Sequence, residues 1–373
     1  VMGVASLTPA FPQIAIALNL TMEQAGLLIT FFTLPGVFLT PVLGVAADRF
    51  GRKKVLVPSL FLFAIAGTAC FFARDFYILL LFRLLQGIGG ASLGSLNVTL
   101  IGDLFSGKDR ASAMGFNASI LSIGTASYPA IGGALAMLSW HAPFLLPIAA
   151  LPVGLVVLYK LDITQPKNQQ NLINYLKATI VGVKRKEIAG IFLTSVVTFI
   201  ILYGSYLTFF PFLLAHSFNA NTLVIGLMMS SMSIVTAITS SQLGKLAAKF
   251  SAVTLLKIAF ALYTLSLILI PFMNVIWFLF LPITIFGIAH GINIPGLQTL
   301  LADYSPAEQR AAFMSLNGMV LRLGQTLGPV VMGALFVTFG INGVFLSGAL
   351  IALLMLGGIS LLISEVKNNP SQF

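Results

Sequence analysis

The chain has 373 residues, of which 58% are hydrophobic and only 8% are charged. This composition excludes a soluble globular domain and predicts that the chain lies in a lipid bilayer. The formal net charge of +10 raises nucleic-acid binding as an alternative. That alternative requires a basic groove on a soluble domain, which the sequence does not offer, so we predict no nucleic-acid partner.

Apolar runs recur along the whole chain. A membrane-spanning helix needs about 20 such residues, and the runs reach that length, are apolar on every face and contain Gly and Pro, which favours helices over strands of alternating polarity. Breaks at charged or turn-rich segments predict twelve spans. These are 1–18, 24–45, 55–73, 76–101, 111–136, 142–160, 188–214, 223–244, 254–273, 275–300, 311–338 and 341–364.

Positive charge is concentrated in alternate loops. We assign 17 of the 20 lysine and arginine residues to one side of the membrane. They lie in 46–54, 102–110, 160–187 and 245–257 and at Arg310 and Lys367. Cytoplasmic loops carry the excess of Lys and Arg, so this side is predicted to be cytoplasmic, with both termini there.

The sequence repeats at a constant offset of 200 residues. Residues 100–135 and 300–335 share twelve identities in 36 positions without a gap. Shared hydrophobicity alone does not explain them, because polar residues and prolines are included. The identities include Asp103 with Asp303, Arg110 with Arg310, Asn117 with Asn317 and Pro129 with Pro329.

The repeat predicts an all-α integral membrane fold of two pseudo-symmetric six-helix bundles. The first bundle is 1–160, the linker 161–187 is cytoplasmic, the second bundle is 188–364, and 365–373 form a cytoplasmic tail. Six helices per repeat make both halves enter the membrane in the same direction, so a pseudo-symmetry axis runs along the membrane normal. Two rigid bundles can then rock about a central site and expose it to each side in turn.

The loop predicted after the second span carries a specific motif. It contains Gly44, Asp48, Arg49, Gly51 and Arg52 at a spacing that closely resembles the signature loop of the major facilitator superfamily. The resemblance implies a twelve-helix secondary transporter in which Asp48 acts as a conformational latch between the halves, with the arginines as charge partners. The alternative is a basic loop that only sets topology.

A second motif lies in the fifth span and resembles that of the drug/proton antiporter families within this superfamily. It departs from the family pattern at Tyr128, where the family usually has glycine. The resemblance implies proton-coupled efflux of small lipophilic compounds, without a cofactor, by a protein of the bacterial inner membrane that we expect to be monomeric. The motif residues are Gly115, Gly124, Pro129, Gly132 and Gly133.

Two arginines lie inside predicted spans. Arg83 belongs to a segment that resembles the fourth-helix motif in which an arginine assists proton transfer, although its position also allows the side chain to snorkel to the interface. Arg322 has Ser122 as its repeat partner, and no acidic residue lies within the predicted spans to pair with it. Transport of an organic anion, a metabolite or siderophore-like compound held by Arg322 or Arg83, is therefore the alternative function.

Other polar residues complete the predicted transport path. Asp103 with Arg110, and Asp303 with Arg310, are gate candidates at the inner ends of spans four and ten, with a solvated loop contact as the alternative. An intramembrane enzyme is a remote alternative, since the sequence has no cluster of catalytic or metal-binding side chains. A gated channel is another, and the tandem six-helix repeat and the superfamily loop favour alternating access over it. Besides Arg322, the candidates for a small-molecule substrate cavity are Asn97, Asn117, Tyr206, Asn293, Gln298, Asn317 and Gln325.

Overall fold

The computed structural model describes residues 2–161, 185–305 and 310–363, apart from the side chains of 310–312 and 315. The predicted linker and tail lie almost entirely outside these ranges. The spans are numbered α1 to α12 along the chain. They are α1 Met2–Ala17, α2 Met22–Phe50, α3 Arg52–Phe72, α4 Phe76–Leu104, α5 Gly107–Leu138, α6 Ala142–Lys160, α7 Lys186–Phe218, α8 Thr222–Ser241, α9 Ala252–Phe272, α10 Ile276–Tyr304, and α11 and α12 as the two parts of Arg310–Leu362.

Each of the twelve predicted spans has a helical counterpart in the described part of the chain. Ten helical segments are long and apolar enough to cross a membrane, and α1 is a shorter apolar helix. The last of the ten contains both α11 and α12, which meet at Gly340 with φ 68° and ψ −173°. This backbone conformation is accessible mainly to glycine.

The boundary between α2 and α3 differs from the prediction. The segment 46–50, expected as a loop, is helical, and α2 continues to Phe50. The turn is reduced to Gly51, which has φ 107° and whose N–H donates to the Ala47 carbonyl at 3.0 Å. A glycine that ends one helix in this way allows the next to begin at once, so α3 starts at Arg52.

Several spans are interrupted, and α4 shows how the freed backbone groups are satisfied. It consists of Phe76–Gly90 and Leu93–Leu104. The Thr40 hydroxyl of α2 donates to the Ala91 carbonyl at 2.9 Å at this break. Unsatisfied backbone groups are costly in a membrane, and such side chains from neighbouring helices remove that cost.

Each half of the chain has its own apolar core. The core of the first half includes Phe11, Leu28 and Phe63, and it also receives Phe212 from α7. The core of the second half is larger and centres on aromatic residues such as Phe260 and Phe286. Most of the apolar surface of each half is therefore buried within that half, and Phe212 joins the two cores.

The two halves meet along two helix pairs. Helix α5 contacts α8, where the Thr222 hydroxyl donates to the Gly133 carbonyl at 2.8 Å and the Ala130 N–H donates to the Ser230 hydroxyl at 3.1 Å. A side chain on Gly226 would collide with the Pro129 carbonyl, so these helices touch backbone to backbone. Small residues permit this close approach between membrane helices.

Helix α2 contacts α11 along an antiparallel row. A Cβ on Gly26 would lie 3.1 Å from Pro329, and the Thr33 and Thr326 hydroxyls are 2.9 Å apart. The row ends where Gly36 meets the Arg322 side chain, since a Cβ on Gly36 would lie 3.0 Å from the Arg322 Cδ. We call this row the α2–α11 seam.

These contacts between halves lie towards one end of the bundle. The other end carries Arg49, Arg52 and Lys245 and is called here the basic end. At four glycines nearer the basic end an added Cβ would meet nothing within 4 Å, and α5 residues such as Phe116 are strongly exposed there. The halves are therefore closed together at the opposite end and separated at the basic end. The four glycines are Gly44, Gly115, Gly244 and Gly318.

The α5–α8 contact yields a test of this closure. We expect Gly226→Ala to force α8 away from the Pro129 carbonyl, since overpacking of this kind costs about 1 to 3 kcal/mol. The closed end would then open more often. In a Cys70→Ser background, a cysteine introduced by Ser230→Cys should react faster with maleimide when Gly226→Ala is present.

Gly244→Ala is the matched control for this experiment. It adds the same methyl group to a glycine that has open space around it, so the labelling rate should stay unchanged. Equal labelling rates in the two variants would contradict the proposed closure at Gly226.

Candidate substrate and coupling site

Arg52 organises the basic end of the first half. Its guanidinium contacts Asp48 at 3.5 Å, across the Gly51 turn, and also pairs with Asp103 at the end of α4. Arg49 lies over the ring of Phe50 at 5.6 Å. The predicted latch residues therefore tie the α2–α3 turn to α4, and a link from Asp48 to the second half stays a prediction.

The structure describes both side chains of only one of the two predicted gate pairs, Asp103 with Arg110. Asp103 pairs with Arg52 of α3, while Arg110 lies against Gly102, where a Cβ would be 3.1 Å from its Nη2. No Asp103–Arg110 ion pair forms among the described residues, because Arg52 already occupies the Asp103 carboxylate. Asp303 is exposed at the basic end of α10, and the Arg310 side chain lies outside the described residues.

Arg83 is enclosed in the first half. Its side chain is 1% exposed, its Nε donates to the Leu28 carbonyl at 3.0 Å, and its Nη1 donates to the Gln86 Oε1 at 2.7 Å. The guanidinium also lies 4.4 Å from the centre of the Phe32 ring, and its Nη2 is buried without a hydrogen-bond partner. Snorkelling to the interface is therefore wrong for Arg83, because α2 supplies the carbonyl and the ring that hold it inside.

Arg322 occupies a different environment. It lies on the α2–α11 seam at Gly36, where the cross-half contacts end, and it remains partly exposed. Its Nη1 donates to the Gln325 Oε1 at 3.1 Å. Arg322 therefore borders the space that opens towards the basic end.

The two arginines share a local arrangement without being repeat partners. Each donates from Nη1 to a glutamine three residues later on its own helix, a spacing that places both side chains on one helix face. Helix α2 lies between them, with Phe32 facing Arg83 and Gly36 facing Arg322. Within the described ranges neither arginine has a carboxylate within 4 Å, and the ion pairs found there both involve Arg52.

The helix-five motif divides into two parts. Pro129, Gly132 and Gly133 form close backbone contacts, with Gly132 against Ser6 of α1 and the other two against α8. The first part differs, since Gly115 has open space around it and Gly124 is covered by the Tyr128 ring of its own helix at 2.9 Å from an added Cβ. The departure at Tyr128 thus fills space beside Gly124.

The cavity candidates fall into three environments. Near the basic end, Asn97 donates to Asn117 at 2.6 Å between α4 and α5, and Gln298 is exposed on α10. Gln325 lies with Arg322 at the seam. In this conformation the remaining candidates are buried in the second half. These are Tyr206, Asn293 and Asn317.

The buried candidates belong to a polar network inside the second half. The Asn293 amide donates to Thr198 of α7 at 2.8 Å, and Ser195 of α7 donates to Asn317 of α11 at 3.3 Å. Tyr263 of α9 and His290 of α10 are joined at 2.7 Å. Tyr206 stacks on aromatic rings instead. These hydrogen bonds join α7 to α10 and α11, and α9 to α10, while the Asn293 Oδ1 is buried without a hydrogen-bond partner.

A sequence model of the Major Facilitator Superfamily matches residues 1–214 and 191–372, which together cover nearly the whole chain. The chain belongs to the major facilitator superfamily. Its curated relatives include the bacillibactin exporter of Bacillus subtilis (strain 168), 27% identical over 90% of this chain and 86% of that protein. Multidrug resistance protein 1 of the same organism is 26% identical with the same coverage, as is the quinolone resistance protein NorA of Staphylococcus aureus (strain Mu50 / ATCC 700699).

Solved structures share the fold of this major facilitator. A mutant form of the nucleoside transporter NupG superposes with a TM-score of 0.80 at 16% identity, over 97% of both chains. A bacterial homolog of the human lysosomal transporter Spinster, in an inward-facing and occupied conformation, gives a TM-score of 0.80 at 17% identity over 97% of this chain and 93% of that one. The predicted fold and the resemblance to drug-efflux transporters are confirmed, and the protein is a multi-pass membrane transporter.

Sequence reasoning missed several residues of this major facilitator site. Gln86 had no assigned role, although its spacing of three residues from Arg83 is a usable signal. Tyr263 was also missed as the hydrogen-bond partner of His290, as was the packing of Tyr203 against Gly328 of α11. For these contacts the sequence has no signal, because they join residues on different helices.

The Arg52 cluster can be tested by a double-mutant cycle. We expect Arg52→Gln and Asp103→Asn to be coupled by about 1 kcal/mol, since each removes the same partly buried ion pair. The measurement is thermal unfolding of the two single variants and the double variant in detergent. Arg49→Gln is the control and should add independently to Asp103→Asn, because Arg49 contacts the Phe50 ring. Equal coupling to both arginines would contradict the assignment.

Proposed function

We propose that this major facilitator exports small lipophilic compounds across the bacterial cytoplasmic membrane in exchange for protons, with no cofactor. The observation that carries this proposal is the arrangement of the two halves. They are closed together at one end and separated at the basic end, and Arg322 lies where their contacts stop. Alternating access requires this kind of asymmetry around a site between two bundles. The basic end is the cytoplasmic end in this proposal, since loops rich in Lys and Arg stay in the cytoplasm.

The printed names of the relatives support export rather than uptake. One is an exporter of bacillibactin, and others are multidrug and quinolone resistance proteins. Their matches cover 90% of this chain, so the resemblance extends over both halves. The substrate-accessible state described by the structure is then the state that loads compounds from the cytoplasm.

In the transport cycle, the two contacts between the halves must open while new contacts form at the basic end. In the described state α5 and α8 close through Gly133 and Gly226, while α2 and α11 close down to Gly36 and Arg322. Rocking of the halves, at 1–160 and 188–364, would open these contacts and bring the basic ends together. The Arg52 cluster, which already ties α2, α3 and α4, would move as one unit.

Arg83 is the candidate for coupling to protons. Its buried Nη2 lacks an acceptor, and its other donors bind Leu28 and Gln86. A side chain that gains or loses an acceptor when α2 moves can respond to the state of the transporter. His290 is the second group to test, because its ring lies mid-span and forms a hydrogen bond with Tyr263.

Proteoliposomes give a direct test of the proposal. We expect the purified protein to accumulate the lipophilic dye Hoechst 33342 or the neutral amide 2-naphthamide against a gradient when a proton gradient is imposed, and a protonophore should abolish accumulation. Arg83→Gln should lower proton-driven accumulation about tenfold or more, because intramembrane charges of this type are functional. Arg83→Lys keeps the charge and serves as the matched variant.

Two controls separate coupling from folding. Thermal unfolding should show that Arg83→Gln still folds, and downhill efflux of preloaded compound should continue if only coupling is lost. His290→Gln tests the second group by the same assay. Accumulation that does not respond to the proton gradient in the wild-type protein would contradict proton coupling, and absence of any movement of these compounds would contradict export of lipophilic compounds.

A further inference from the structure

Arg322 lacks a counter-ion in the described part of the protein. Among the described residues, its guanidinium forms a side-chain hydrogen bond with the neutral Gln325. No described carboxylate lies within 4 Å of the guanidinium. The described acidic residues lie near the ends of spans or in the turns between them. A guanidinium in the membrane interior is expensive unless it is paired, so a functional partner for it is expected. The described acidic residues are Glu23, Asp48, Asp75, Asp103, Asp109, Glu187 and Asp303.

The position of Arg322 suits a ligand rather than an internal partner. It lies twelve residues after the start of α11, about 18 Å along the helix axis, and therefore deep in the membrane. It is partly exposed, whereas Arg83 is 1% exposed. A guanidinium has five N–H donors, and the hydrogen bond to Gln325 uses one of them.

An apolar wall lies beside the guanidinium. On the same helix as Arg322, a Cβ on Gly324 would lie 2.8 Å from Phe199 and a Cβ on Gly328 would lie 3.2 Å from Tyr203, and the two aromatic rings are 5.8 Å apart. Tyr203 belongs to a π-helical segment of α7, Ile201–Phe209, and such segments occur frequently at functional sites. Gly324 and Gly328 bring α11 close against this part of α7. A cation beside aromatic rings fits a molecule with one acidic group and an apolar body.

We propose that Arg322 binds the acidic group of the substrate, so that the preferred substrates are lipophilic organic monoanions. This inference rests on the proposed export function and specifies its substrate class. The same side chain packs on Gly36 of α2, so an anion bound there lies where the two halves meet. A bound anion would neutralise the positive charge of Arg322 and so favour movement of this part of α11 against α2.

The repeat does not duplicate this site, because the first half has no arginine at the position that corresponds to Arg322. The repeat partner of Arg322 is Ser122, which donates only to the Ala118 carbonyl of its own helix. Arg83 has no ligand-accessible surface of this kind, because Leu28, Phe32 and Gln86 surround it.

The test compares 2-naphthoate with its neutral amide, 2-naphthamide, on the purified full chain. Wild-type protein should bind naphthoate more tightly than the amide. Arg322→Gln should weaken naphthoate binding about 10- to 100-fold, as expected for loss of a charge-assisted hydrogen bond, and leave amide binding unchanged. Arg322→Lys should retain most of the preference for the anion. Arg74→Gln changes an arginine that donates to the Phe71 carbonyl in the α3–α4 turn, away from the seam, and it should not alter the preference.

A measurement on the wild-type protein covers the case in which Arg322→Gln does not fold. A nitrophenol ionises near neutral pH, so its binding should strengthen from about pH 6 to about pH 8, while binding of 2-naphthamide stays constant. Equal affinity for naphthoate and the amide would overturn the proposal, as would naphthoate binding that survives Arg322→Gln. Displacement of naphthoate by an equal concentration of chloride would also overturn it, since Arg322 would then hold an inorganic ion.

Transport separates this inference from the proposed function. Export of 2-naphthamide but not of 2-naphthoate would leave the export function standing and refute the anion site. Export of 2-naphthoate in preference to the amide, lost in Arg322→Gln and kept in Arg322→Lys, would support both. Absence of any transport would refute the export function, whatever the binding results.

Discussion

The close approach of α5 and α8 at one end of the bundle is the contact on which the conformation depends. Gly133 and Gly226 remove the side chains that would hold the two backbones apart, and Thr222 joins them by a hydrogen bond. Lipid gives little hydrophobic drive for helix association, so close packing and interhelical hydrogen bonds supply the attraction. The halves consequently meet at this end, and the space at the basic end is left open.

Helix α2 connects this closure to the charged residues inside the membrane. One of its faces holds Arg83 through the Leu28 carbonyl and the Phe32 ring, and another meets α11 down to Gly36 and Arg322. A shift of α2 against either half therefore changes the surroundings of an arginine. In the proposed proton-coupled cycle, movement of α2 would therefore change the surroundings of charges that need partners.

Much of the fold follows from hydropathy and the repeat. The length of the apolar runs predicts the spans, because a helix that satisfies its own backbone is what an isolated segment can form in lipid. The turn at Gly51 also follows from the sequence, but the extent of α2 does not. Residues 46–50 were expected to form a loop from their charge, yet Arg and Ala are good helix formers and the helix continues until glycine ends it.

The candidate site was predicted less completely than the fold. Spacing within one helix is readable, and the arginine and glutamine pairs at 83 and 86 and at 322 and 325 follow that rule. Contacts between helices are not readable in this way. Asp103 pairs with Arg52 rather than Arg110, and Tyr206 and Asn293 lie in the core of the second half instead of facing the space between the halves.

The sequence by itself therefore determined the membrane class, the repeated architecture and the two charges inside the bilayer, because these depend on composition and on order along the chain. Only the tertiary structure decided that Arg83 is enclosed and Arg322 accessible, and that the halves close at one end. The physical reason is that helical periodicity fixes which residues share a face. Which neighbour each face meets depends on how all the helices pack together.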